Sequence, residues 1–199
     1  HAWLLNALTL YLQSRWERRW LDFAIILADR MLDDFEDAAG GFFFSEAGTD
    51  TPITRSIVFM DDATPAGNAA AISGLERLGH LLGDPRYTTA ADRCLQRALP
   101  LAAESPLAHA SLLPVLIDAL RPGVQVVLAG HSEAALSGFH ALVLRDDRIA
   151  CYLIGAPDDT LPGILAEFRT TEPATAWLCR GMHCMPPVHS RKELETLLA

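Results

Sequence analysis

Arg121-Pro122-Gly123-Val124-Gln125-Val126-Val127-Leu128-Ala129-Gly130 is where the chain changes its hydrophobic period. Before this stretch apolar residues recur at three- and four-residue steps. After Gly123 they form a short β-branched run closed by a glycine, the pattern of a buried strand. A helix is predicted from about Ser132 to Leu144, and a second apolar run, Ile149–Ile154, stops at Gly155. Strand, helix and strand at this spacing predict a parallel crossover. A helix over about Pro162–Phe168, a strand over Thr175–Cys179 and a last helix over Arg191–Leu198 complete a small α/β module with about three strands.

Upstream, the chain reads as helices. Trp16, Trp20, Ala24, Leu27, Ala28, Met31 and Phe35 make one helical stripe, and Ile72, Leu75, Leu78 and Leu82 make another. Gly83, Asp84 and Pro85 supply a stop, an N-cap and a first-turn proline for a helix carrying Tyr87, Ala91, Cys94, Leu95 and Ala98. Ser105-Pro106 repeats the signal before a further helix, in which Pro114 predicts a kink. A shift of 67 places lays Leu8 on Leu75, Tyr11 on Leu78, Arg19-Trp20 on Arg86-Tyr87 and Ala24 on Ala91. Hairpins repeated in this way bury their faces against neighbours, in a solenoid or an α/α toroid. The expected fold is therefore mainly α. Helical-hairpin repeats occupy 1–121, as an incomplete toroid, and the small α/β module occupies 122–199.

Composition narrows the function classes. The chain has 199 residues, 50% hydrophobic and 21% charged, which supports a sizeable core and excludes a disordered chain. Its 16 Lys+Arg against 25 Asp+Glu give a net charge of -9, which argues against nucleic-acid binding. The charge-free runs His1–Ser14 and Ser105–Ile117 are shorter than the roughly 18 residues of a membrane span. Cys94, Cys151, Cys179 and Cys184 are too sparse for a disulfide scaffold, and a cytoplasmic chain without cofactor is expected. His1-Ala2-Trp3-Leu4-Leu5 enters a helical pattern with neither cap nor start methionine, which reads as a fragment. Hairpins deprived of neighbours should expose an apolar face, so self-association, as a homo-oligomer, is expected.

Three stretches carry candidate chemistry. The long connection from Gly40 to Asn68 holds Arg55, Asp61, Asp62 and Asn68 and ends at a helix N-terminus, a place suited to hydroxyl-rich or anionic ligands. A solvated loop with Asn68 as an N-cap is the plainer alternative. Cys179 and Cys184 could form a redox or metal pair, although the spacing is neither a common zinc spacing nor Cys-x-x-Cys. A turn with two partly buried thiols is the plainer reading there. Gly130-His131-Ser132-Glu133-Ala134 mimics a nucleophile elbow, with Asp158 or Asp159 and then His183 or His189 following in hydrolase order. Ser132 is equally explained as an N-cap. Asp33-Asp34-Phe35-Glu36-Asp37 lacks the ligand pattern of a calcium loop and, at a helix C-terminus, implies strain or a salt-bridge partner, a solvated end being the plainer reading.

The motifs Gly40-Gly41-Phe42-Phe43-Phe44-Ser45, Arg55, and Asp61-Asp62-Ala63-Thr64-Pro65-Ala66-Gly67-Asn68 continue through Leu75-Glu76-Arg77-Leu78. Near the end stand Ala176-Trp177-Leu178-Cys179-Arg180-Gly181-Met182-His183-Cys184-Met185-Pro186-Pro187-Val188 and Glu193-Leu194. Together they resemble the thioredoxin-domain-containing, spermatogenesis-associated protein family. The resemblance covers nearly the whole chain. It implies an upstream thioredoxin-like domain and a six-hairpin toroid similar to N-acylglucosamine 2-epimerases and six-hairpin glycosidases, of which this chain is the C-terminal part. Where the family usually has lysine two residues after the arginine and serine in the Pro-Ser-Gly-Asn turn, this chain has Ile57 and Ala66. On this analogy a carbohydrate-like small molecule is the expected partner, with Asp61 and Asp62 as acid/base candidates and Arg55 and Asn68 orienting hydroxyls. A non-catalytic binding or interaction module is the alternative, and a Ser132-dependent hydrolase a third.

Overall fold

The computed structural model of the chain describes residues 1–48, 54–156, 158 and 160–198. Its helices are α1 (Ala2–Ser14), α2 (Arg18–Arg30), α3 (Gly67–Leu82), α4 (Pro85–Glu104), α5 (Leu112–Leu120), α6 (Glu133–Val143) and α7 (Arg191–Leu198). Its strands are β1 (Val124–Ala129), β2 (Ile149–Gly155), β3 (Thr175–Arg180) and β4 (His183–Cys184). The chain divides into two compact units. One comprises His1–Thr9, Leu21–His80 and Asp84–Arg121, the other Leu10–Trp20, Leu81–Gly83 and Pro122–Ala199.

The first unit is helical, and its core follows the apolar stripes. Leu5, Ala24, Ala28, Ile72, Leu75, Leu78, Tyr87, Ala91, Cys94 and Ala98 are buried. Gly74 lets α1 and α3 approach, since a Cβ there would come within 3.0 Å of Leu5. Asp84 caps α4 by accepting from the Arg86 amide, with Pro85 in the first turn, as the sequence signals predict. Pro114 does not kink a helix. The Ser105-Pro106 signal instead opens a short 3-10 turn, Pro106–His109, and α5 starts at Leu112. Pro114 thus falls in the first turn of α5, where its missing N–H would have had no helical partner. α2 runs on into a five-residue π turn, Met31–Phe35, and the acidic run there finds its partner in Arg30, 2.7 Å from Asp34.

The mainly helical toroid is overturned. The chain combines its helices with a four-stranded mixed sheet of order β2-β1-β3-β4. Among the positions laid together by the 67-residue shift, Leu8 and Leu75 are both buried, as are Ala24 and Ala91, whereas Tyr11 is 38% exposed and Leu78 fully buried.

In the second unit β1 and β2 are parallel across α6, the predicted crossover. β3, however, runs antiparallel to β1, and β4 adds a two-residue edge strand. The helix expected over Pro162–Phe168 is only a 3-10 turn, Gly163–Glu167, too short to carry another crossover. One sheet face buries Val126, Leu128, Ala176 and Leu178 against Leu136, Phe139 and Val143 of α6 and Leu194 of α7. On the other face Phe168 stacks on Trp177 at 5.0 Å and Trp16 meets Tyr152 edge-on at 6.2 Å. Alternate residues of one strand thus serve two cores.

Candidate functional site

The connection before α3 is held down by its backbone. The Phe43 amide donates to the Phe35 carbonyl and the Phe44 amide to the Ser56 carbonyl, both at 2.8 Å. Single bridges pair Glu36 with Phe42 and Phe43 with Ile57. Gly40, at φ 93°, passes so close to α4 that a Cβ would lie 2.4 Å from the Arg93 carbonyl oxygen. Only glycine satisfies both demands.

This packing leaves a pocket of about 220 Å³ inside the first unit, lined by His1, Trp3, Phe35, Phe42, Phe43, Phe44, Val58, Gly67 and Asn68. The lining is dominated by rings, with the first turn of α3 at one side. That turn carries backbone amides without helical acceptors. The His1 and Phe35 rings lie 4.8 Å apart, and Phe44 is 84% exposed. Phe35 is delivered by the π turn, a distortion often found at functional sites.

The site residues anticipated from sequence fall around this pocket with other duties. Asn68, buried in the first turn of α3, is not the N-cap. Its Oδ1 accepts from the Phe42 amide at 2.7 Å and from Cys94 Sγ at 3.4 Å, while its Nδ2 donates to the Phe42 and Val58 carbonyls at 3.1 and 2.9 Å. All four hydrogen-bonding positions of the amide are thereby used. Asn68 fastens the aromatic loop to α3 and has nothing left for a substrate hydroxyl.

Arg55 does not turn towards Asp61 or Asp62. Its guanidinium donates to the Ser45 carbonyl (2.6 and 3.0 Å) and to the Asp34 carbonyl (2.7 Å), and lies over the Phe43 ring at 4.0 Å. The only cation between Arg30 and Arg77 closes the loop on the π turn.

Asp61 accepts from the Ala66 amide at 2.8 Å and from both the amide and the hydroxyl of Ser111 at the head of α5. Burial pushes its carboxyl up, but the Ser111 and Ala66 donors, with His109 nearby, outweigh this and hold it below the ordinary carboxylate value. Asp62 is exposed.

Cys179 and Cys184 stand opposite one another on β3 and β4 and are joined by a disulfide, so neither sulfur is available as a thiolate ligand. Among the described residues no cluster of three His, Cys, Asp or Glu could hold a metal.

Ser132 Oγ accepts from the Ala135 amide at 3.3 Å, capping α6. The glycine before it is steric: a Cβ on Gly130 would lie 2.3 Å from the Pro173 carbonyl oxygen. His189 Nδ1 lies 3.1 Å from the Thr175 hydroxyl, and Asp158 accepts from Thr160. Asp159 lies outside the described residues.

Sequence reasoning missed Trp3, Phe35 and the Phe42–Phe44 run as pocket residues. Three consecutive phenylalanines in a connection rather than a helix were the available signal.

The chain is similar to spermatogenesis-associated protein 20. It is 25% identical to the human protein over 222 residues and 26% identical to the rat protein over 223 residues. The similarity covers 100% of this chain but 26% of each relative, so the chain spans about a quarter of their length. It supports the family resemblance read from the motifs, at the coarse level of a segment of such a protein. No protein-family model matches the chain. Among the described residues no helix is long and apolar enough to cross a membrane.

Proposed function

We propose that this chain is the ligand-binding segment of a longer protein resembling spermatogenesis-associated protein 20, and that its aromatic pocket holds one ring of a carbohydrate-like small molecule. By the family resemblance, such a protein also carries a thioredoxin-like domain elsewhere. The observation that carries the reading is the ring of Trp3, Phe35, Phe42, Phe43 and Phe44 around one small pocket. A volume of about 220 Å³ lies below the range of drug-sized sites and suits a single ring. A sugar ring has apolar C–H faces, which aromatic side chains cover, and hydroxyl edges, which the first amides of α3 can meet.

Binding has better support than catalysis. A general acid needs a proton at working pH, and Asp61 is instead held ionised by three donors. For a hydrolase, Ser132 would have to be free to attack, whereas its oxygen serves α6. The test is calorimetric titration of the chain with a panel of monosaccharides. Saturable binding by at least one, lost in Phe44→Ala without change in melting temperature, is the expected result. Absence of binding across the panel, or undiminished binding by the variant, contradicts the proposal.

A second reading, self-association, is favoured by a separate observation. Leu113, Ile117 and Leu120 occupy one face of α5 at helical spacing, and Ile117 and Leu120 are 61% and 82% exposed. Such a face serves contact with a second copy of the chain.

A further inference from the structure

We propose that the Cys179–Cys184 disulfide is a thiol–disulfide exchange site that accepts two electrons from a dithiol, with Cys184 as the sulfur attacked. The proposal is independent of the carbohydrate reading and lies wholly in the second unit.

Position supports it first. β4 is the two-residue edge strand of the sheet, and Cys184 within it is half-buried, whereas Cys179 on β3 is fully buried. An incoming thiolate can therefore reach one sulfur of the pair and not the other. Met182 and Met185, both exposed, flank Cys184 with adaptable apolar surface of the kind that receives varied partners.

The disulfide also closes a very short loop, five residues in sequence separation, so it restrains the unfolded chain little. The segment beyond it is fixed by other bonds. The Met185 amide donates to the Leu178 carbonyl at 2.8 Å, and Ala176 and Val188 exchange two hydrogen bonds at 2.9 and 3.0 Å. β3 itself remains paired with β1 from Thr175 to Arg180. Opening the disulfide thus leaves the sheet standing and keeps the two sulfurs close enough to close again.

Selectivity follows from the remaining cysteines. Cys94 and Cys151 are buried, and burial pushes both thiols up to about 12. Such thiols are not nucleophiles at neutral pH and do not compete in the exchange.

The chemistry balances without metal. A thiolate of the dithiol bonds to Cys184 Sγ, the Cys179–Cys184 bond breaks, and its electron pair leaves on Cys179 Sγ, which takes up a proton. The second thiol of the reductant loses its proton and attacks the mixed disulfide, expelling the Cys184 thiolate, which is protonated in turn. The protein gains two electrons and two protons, and the dithiol becomes a disulfide.

The experiment uses the full chain, dithiothreitol as the dithiol, and alkylation with mass readout, with no denaturant and circular dichroism recorded throughout. One alkylated thiol, at Cys184, is expected after reduction and none before it, with the dichroism unchanged and the buried Cys179, Cys94 and Cys151 unmodified, and in a sample left unalkylated the disulfide is restored by oxidised dithiothreitol. In parallel, Cys179→Ser should form a mixed disulfide with oxidised glutathione at Cys184, while Cys184→Ser should leave Cys179 unreactive. A disulfide that is reduced only when the chain unfolds overturns the proposal, as does a Cys184→Ser variant whose Cys179 reacts as readily as Cys184 does in the reciprocal variant.

Discussion

Asn68 illustrates how a side chain suited to binding sugar hydroxyls is consumed by structure. Replacing it with leucine strands the buried Phe42 amide and the Phe42 and Val58 carbonyls. The expected cost is roughly 2–4 kcal/mol, read from urea unfolding, because buried backbone groups left unpaired lose about 1–3 kcal/mol each and part of the loss relaxes away. An unchanged stability would return Asn68 to the role of a ligand residue. Glu76 on α3 offers a pH signature. Burial pushes its carboxyl from 4.5 up to about 7, Asp118 and Asp92 add to the rise, and Arg77 opposes it. A carboxyl raised in the folded state contributes stability that is complete below about pH 4.5 and is lost as pH rises through about 7. Glu76→Gln should therefore leave stability unchanged at acid pH and raise it by roughly 2–3 kcal/mol in alkaline buffer, as unfolding across pH will show. A gain at acid pH as large as that in alkaline buffer would contradict the assignment.

At the scale of elements, caps and steric glycines govern the strand-to-helix turn of the second unit. Ser132→Ala removes the acceptor for the Ala135 amide and should cost about 0.5–2 kcal/mol while leaving the chain unreactive towards a fluorophosphonate probe, as before. Covalent labelling of Ser132 would refute the capping role. Losing the disulfide through the double substitution Cys179→Ser and Cys184→Ser should cost only about 2 kcal/mol in thermal unfolding, since the closed loop is so short. The cap at Asp84, the crossover from β1 through α6 to β2 and the extent of α7 were legible because local chemistry decides them. The direction of β3 was not, since an apolar strand reads alike in either orientation and only its partner fixes the sense. Nor was β4, whose two residues carry no period. The toroid misled because an apolar helical period marks a buried face without saying which element covers it. In the candidate site the connection Gly40–Asn68 was legible as unusual, but its polar residues drew attention from its rings. Arg55, Asp61 and Asn68 are polar because they clamp a loop, and that use leaves the same trace in sequence as a binding site does.

For the molecule as a whole, the exposed face of α5 bears on association. Sedimentation equilibrium should show self-association that Ile117→Glu abolishes without lowering thermal stability, since Ile117 is largely exposed in the single chain. A chain that stays monomeric at every concentration would contradict this. The proposed occupant of the aromatic pocket in the first unit is one ring-shaped, hydroxyl-bearing ligand. An amide NMR shift map during titration with the tightest-binding monosaccharide tests it most directly. Saturable shifts concentrated at Trp3, Phe42, Phe43, Phe44, Gly67 and Asn68 are the expected result. Shifts that never saturate, or that cluster away from these residues, would contradict it.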